Sequence, residues 1–174
     1  MTSTEQFGTS DSAFWDEQAL LTEERRQFDV CHGCRLCFSF CPAFPILFDQ
    51  TDNVDGDLSK LNKVDFGKVE ANCYQCKLCF VRCPYTPPHH FNLNIPRLMT
   101  RAKFISTRKQ GLSLTDRIMA NTDLTGKLGS WTAPLSNRAN KSIPIRFVLE
   151  KVAGIHRKAT LPKFHKKSFS SWFI

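Results

Sequence analysis

The chain has 174 residues, of which 41% are apolar, with 15 phenylalanines, eight cysteines and a formal net charge of +8. That length makes one domain, or one small domain with extensions. No stretch approaches the roughly 18 apolar residues of a bilayer-spanning helix, and residues 1–5 have neither the basic start nor the apolar run of a secretory signal. Charge is unevenly spread: residues 1–90 carry a net −5 and residues 91–174 a net +13. A basic half suits acidic proteins, anionic lipid or nucleic acid. No nucleic-acid-binding motif accompanies it, so nucleic acid is not expected as a partner.

Residues 1–11 are polar and predicted to be disordered. From Ser12 to about Phe28 the pattern is helical, with Ser12 as N-cap and Asp16 and Glu17 in the first turns. A first cysteine run spans residues 31–41. Residues 43–48 form a short apolar segment, and residues 49–63 are acidic and turn-rich, hence a loop. A second cysteine run spans residues 73–83 and leads into a stiff stretch with Pro87, Pro88, His89 and His90. Pro96 opens a helix ending near Gly111, with Ile95, Leu98, Met99, Ala102 and Ile105 at helical spacing. Its cations Arg97, Arg101 and Arg108 are candidates for docking a partner. Ser113 and Asp116 form a capping signal for a short helix to about Asn121. A looser segment through Gly126, Gly129 and Pro134 follows, then a helix from Pro144 to Val152 stopped by Gly154. No segment alternates with period two. The two cysteine runs share the C-x2-C-x2-C-x3-C-P spacing by which [4Fe-4S] clusters are held, so the expected fold is mainly α: residues 12–110 form a helical, ferredoxin-like domain holding two [4Fe-4S] clusters, and residues 111–174 a basic helical C-terminal extension.

All eight cysteines fall into two copies of C-x2-C-x2-C-x3-C-P: Cys31, Cys34, Cys37 and Cys41, then Cys73, Cys76, Cys79 and Cys83. This run holds [4Fe-4S] clusters in small bacterial electron carriers, where the fourth cysteine ligates the other cluster. By that rule Cys31, Cys34, Cys37 and Cys83 hold one cluster, and Cys73, Cys76, Cys79 and Cys41 hold the other. Such a centre needs four soft thiolates, with backbone N–H groups turned toward its sulfides. Zinc sites come instead as two C-x2-C pairs without a third cysteine at the next step. A disulfide framework does not suit a chain without a secretory signal. His32, His89, His90, His156 and His165 belong to no ligand constellation. There is no Gly-rich nucleotide fingerprint and no Ser/His/Asp set, so no catalytic residue is assigned. The function this predicts is electron transfer, with a free-standing ferredoxin-type carrier or a zinc-binding interaction module as alternatives.

The segments Cys83-Pro-Tyr85-Thr-Pro-Pro-His89 and Ile95-Pro-Arg97-Leu-Met99-Thr-Arg101-Ala-Lys103 resemble the iron–sulfur C-subunit family of anaerobic glycerol-3-phosphate dehydrogenase and the related heterodisulfide reductase iron–sulfur proteins. Residues 122–126 and 160–164 share that resemblance. It implies a non-catalytic, two-cluster electron-transfer subunit of an oxidoreductase, working between a flavin-containing dehydrogenase subunit and a downstream acceptor. The family's longer members continue into a Cys-Cys-Gly region about where this chain ends, so the resemblance implies either a partner that bears that region or a truncated form of the longer subunit. The implied location is the cytoplasm. Lys166, Lys167, Phe169, Trp172 and Phe173 add the mixture that suits peripheral contact with the inner face of the cytoplasmic membrane.

Overall fold

The computed structural model describes residues 8–167 and 169–173, Ser170 by its backbone alone. All regular structure among these residues is helical, and the chain divides into two units, Met1–Gln110 and Gly111–Ile174. The expected disorder at residues 1–7 lies outside the described residues, whereas residues 8–11 form a turn that leads into a 3-10 turn at Ser12–Trp15.

In the first unit, Asp16 rather than Ser12 caps helix α1 (Glu17–Cys34), accepting from the N–H groups of Gln18 and Ala19 at 2.8 and 3.0 Å. The helix runs past Phe28 and carries Cys31 and Cys34 in its last turns. Helix α2 (Ala43–Asp52) extends the short apolar segment by four polar residues. The predicted loop beyond it contains a 3-10 turn at Leu58–Lys60. It ends in a reciprocal cap between Asn62 and Asp65 that starts α3 (Lys63–Ala71). Helix α4 (Leu78–Arg82) carries Cys79, and α5 (Ile95–Gln110) occupies the predicted position.

Helix α2 packs on α3, and α1 on α5. Between them lie Leu20, Phe28, Leu47, Phe48, Phe66 and Met99, all essentially without solvent contact. Phe28 and Phe66 meet edge to face at 5.2 Å. This core also presses on Cys31, Cys37, Cys41, Cys73 and Cys79.

Two buried ionisable side chains tie the helices together. Arg101 of α5, expected at a docking surface, is only 5% exposed. Its guanidinium donates to the carbonyls of Phe14 (2.8 Å), Ala13 (2.8 Å) and Asp16 (3.1 Å), latching the 3-10 turn onto α5. Glu24 of α1 is fully buried and accepts from Lys63 Nζ at 3.3 Å, and Lys63 also bonds Glu70. Burial, reinforced by the neighbouring Glu70 carboxyl, raises the Glu24 pKa to about 9 against the opposing pull of Lys63.

The second unit contains α6 (Leu114–Ala120), α7 (Thr122–Trp131), α8 (Ala133–Ala139), α9 (Ile143–Ala153) and α10 (Phe169–Phe173). Helices α6 and α9 stand where the capping signals and Gly154 place them. The segment expected to be loose is instead helical, with Asn121 capping α7. There Gly129 seats the Phe164 ring so closely that a Cβ would collide with it. Asn137 holds Phe164 in place by bonding its N–H and its carbonyl, both at 2.9 Å.

Two stability predictions arise from these buried side chains. Arg101→Met removes three charge-assisted hydrogen bonds and deprives the Phe14 carbonyl of this donor, while the carbonyls of Ala13 and Asp16 keep the N–H groups of Asp16 and Leu20; the loss costs about 3 kcal/mol and lowers the thermal midpoint of the chain. The Glu24 carboxyl has a raised folded pKa, so its contribution is full below about 4.5 and is lost as pH rises toward about 9. Denaturant titrations from pH 5 to 9 will show wild-type stability declining. In Glu24→Gln that slope is shallower, because the side chain no longer holds a proton that the unfolded chain releases.

Candidate functional site

The two cysteine runs fold alike. Helix α1 stops at Arg35, which takes a left-handed conformation (φ 53°) and returns its N–H to the carbonyl of Cys31 at 2.8 Å. At the equivalent place in the second run, Lys77 is also left-handed (φ 62°) and opens α4. Such a backbone costs a residue with a Cβ on the order of 1 kcal/mol. In both runs the left-handed cation is followed by an exposed leucine, Leu36 or Leu78, and then by the third cysteine. Cys34 and Cys76, one residue before each cation, are the solvent-exposed thiols.

The eight thiols line two cavities. Cys31, Cys34, Cys37 and Cys83 share one with Phe48 and Tyr85. Cys41, Cys73, Cys76 and Cys79 share the other with Phe28 and Met99. Phe44 is a wall of both. The fourth cysteine of each run therefore sits with the first three of the other. Cys83 Sγ accepts the N–H of Tyr85 at 3.4 Å, and Lys103 Nζ donates to the carbonyl of Cys73 at 2.7 Å.

All eight cysteines are free thiols. Burial pushes the Cys31 thiol far up, helped by Cys37, Cys83, Cys79 and Cys34. It raises Cys37 to about 11, with Cys83, Cys34 and Cys41 adding to the effect. Cys79 is pushed up to about 12 by burial and then by Cys37, Cys73, Cys41 and Cys76. Near neutral pH these three carry their protons, and a thiol must shed its proton before it can ligate or attack.

The expected cofactors are corrected by this geometry. Among the described residues, no group of three or more His, Cys, Asp or Glu side chains stands where it could hold a metal ion, so two [4Fe-4S] clusters are not supported. The thiols are spread over the walls of two apolar cavities rather than gathered on one point, and their surroundings favour the protonated form. The same finding gives no support to a zinc module.

The histidines are engaged elsewhere. His32 Nε2 lies 2.9 Å from Asp52 Oδ1, which also pairs with Arg35 and is held at a pKa of about 2 by Arg35 first and then His32. His89 meets the Tyr85 ring edge to face at 5.1 Å, and both His89 and His90 pack tilted against Phe91 at 5.0 and 4.2 Å. His156 faces Glu150 at 3.6 Å.

Three further features of the site go beyond the cysteine pattern. Phe44 is the shared wall, and nothing in its spacing distinguishes it from the other apolar residues of 43–48. The repeated Cys-cation-Leu-Cys-Phe at residues 34–38 and 76–80 is a signal that the sequence does carry. The two runs also differ in surroundings: residues 29–57 contain five carboxylates and one Arg, whereas residues 71–115 contain seven cations and no carboxylate.

Residues 24–109 match the family described as Citrate utilization protein B Fer4-like domain. The cysteine-bearing segment is homologous to that family. Citrate utilization protein B of Escherichia coli is 31% identical over 96 residues, covering 50% of this chain and 22% of that protein. The C-subunit of anaerobic glycerol-3-phosphate dehydrogenase from Escherichia coli (strain K12) is 30% identical over 148 residues, covering 84% of this chain and 36% of that protein. Its counterpart in Escherichia coli O157:H7 gives the same figures. The chain thus spans little more than a third of the length of these dehydrogenase relatives. No solved structure matches it.

Thiol exposure and protonation predict the order of alkylation in the reduced chain. Iodoacetamide at pH 7.5 will modify Cys34 and Cys76 first. Cys37 and Cys79 will lag until the pH approaches about 11 and about 12. Peptide mass mapping over a pH series reads this order directly.

Proposed function

We propose that this chain is an electron-transfer subunit of a multi-subunit oxidoreductase, with the eight cysteines as its working residues and no substrate-converting site of its own. The observation that carries the reading is the exchange of fourth cysteines between the runs, which sets two thiol-lined cavities on either side of Phe44. Thiolates are the soft donors through which proteins handle electrons, by holding a redox group or by thiol–disulfide exchange. Homology to a Fer4-like family and to a dehydrogenase subunit supports the same role.

The partners we infer are a flavin-type donor subunit and a downstream acceptor of the Cys-Cys-Gly kind. Next to Cys34 of the first cavity, Arg35 is paired with Asp52, and Leu36 and Phe38 are exposed; the second cavity is lined by Lys77, with Tyr74 and Leu78 exposed beside it. A matched cation at one site and a lysine without an ion pair among the described residues at the other suit different partners, since complementary potentials select and steer encounter. No helix among the described residues is long and apolar enough to cross a membrane. Contact with the inner membrane face would fall to the basic tail with Phe169 and Trp172, both exposed.

The test is electron delivery in the co-purified oxidoreductase complex with Cys37→Ser or Cys79→Ser in this chain. Each variant will assemble normally and will slow transfer from reduced donor to acceptor by about tenfold or more, equivalent to about 1.4 kcal/mol of barrier. Iron, zinc and acid-labile sulfide are measured on the same preparations. Wild-type transfer rates in both variants, or a chain that carries zinc and passes no electrons, would overturn the reading.

A further inference from the structure

The second unit holds a cavity of about 870 Å³, bounded by α8, α9 and residues 157–163. That is the size of a small-molecule site. Phe147, Val148 and Leu161 supply apolar wall, Lys141, Arg146, Arg157 and Lys163 supply charge, and no carboxylate lines it. Arg157 is offset by Glu150, with Nε 2.7 Å from Oε2. No ion pair joins Lys141, Arg146 or Lys163 to a carboxylate among the described residues.

Arg146 is the informative member. It is 7% exposed, with Nε donating to the carbonyl of Arg157 at 3.0 Å and Nη2 to those of His156 (3.1 Å) and Ala159. Its Nη1 is buried and has no partner. An unsatisfied buried donor is costly, and in native proteins it commonly marks an ion or water site. Helix α9 begins at the same wall: Ile143 and Pro144 line the cavity, and the N-cap Ser142 makes no side-chain hydrogen bond. The positive end of the helix dipole thus lies at the wall that carries the three uncompensated cations.

We propose that this cavity binds a phosphate group carried on an apolar moiety. Three cations and an orphaned guanidinium N–H match the two charges and several acceptor oxygens of a phosphate monoester better than a single carboxylate. The apolar side of the cavity takes the substituent. A free organic phosphate and a lipid phosphate headgroup share this chemistry.

The test is calorimetric titration of the full chain with inorganic phosphate, hexyl phosphate, monomeric dihexanoyl phosphatidic acid and phosphatidic acid vesicles. Hexyl phosphate will bind one to one, at least about tenfold tighter than inorganic phosphate, because its chain leaves water. The double variant Lys141→Gln/Lys163→Gln will weaken that binding about tenfold without altering the thermal midpoint. Tighter binding of hexyl phosphate than of the short-chain lipid assigns the group to a free metabolite, and the reverse order assigns it to a lipid. The proposal fails if no monomeric ligand saturates, if hexyl phosphate binds no tighter than inorganic phosphate, or if the double variant binds like wild type. Binding to vesicles alone also overturns it, since a basic surface meeting an anionic membrane needs no cavity.

Discussion

Phe44 stands in the wall of both thiol-lined cavities, so the packing that holds it bears on both sets of thiols. It lies in the first turn of α2, directly after Cys41-Pro42, and α2 is clamped by its packing on α3. Cys41 therefore leaves its own run and faces the cavity of the second. Cys83 ends α4 in extended conformation and is redirected by Pro84 to line the cavity of the first. Neither set of four thiols is complete without the other run, so the first unit cannot be divided between its repeats.

The same packing that gathers the thiols also sets their chemistry. An apolar cavity disfavours the thiolate, and each further thiol nearby adds to the effect on Cys31, Cys37 and Cys79. Cys79 is affected by Cys37 and Cys41 as well as by the thiols of its own run, so the effect reaches from one run to the other. The carboxylates obey the same rule. Glu24 is tolerated in the core because Lys63 reaches both it and Glu70, and even so burial outweighs the lysine.

Elements with a strong local signal are legible in the sequence. Helix α5 combines helical apolar spacing with Pro96 at its start and Gly111 (φ 75°) after its end, and α9 stops at Gly154 (φ 67°). Helix α3 is masked by its acidic, turn-rich lead-in, although Asn62 and Asp65 form a capping box. Helix α7 is masked because Gly126 and Gly129 suggest looseness, whereas Gly129 is small to make room for Phe164. Arg101 looks like one cation among several on a basic helix. Its role depends on three carbonyls more than 80 residues earlier, which no local pattern can show. The repeat itself, two runs of four cysteines, is legible in the sequence. The arrangement of the thiols around the cavities is not, because spacing along the chain says nothing about convergence on a point.

What the repeat hides is as informative as what it shows. Residues 34–38 and 76–80 share Cys, cation, Leu, Cys and Phe, the same left-handed turn and an exposed leucine. A symmetric pair of this kind would offer one partner two equal choices. The surroundings break the symmetry: Arg35 is matched by Asp52, while Lys77 lies in a 45-residue stretch without a carboxylate. A cation matched by a carboxylate on one turn, and a cation in a carboxylate-free stretch on the other, make equal backbones differ in charge at little cost to the packing between the cavities, since exposed ion pairs contribute little to stability. That difference resides in residues that the cysteine pattern does not specify.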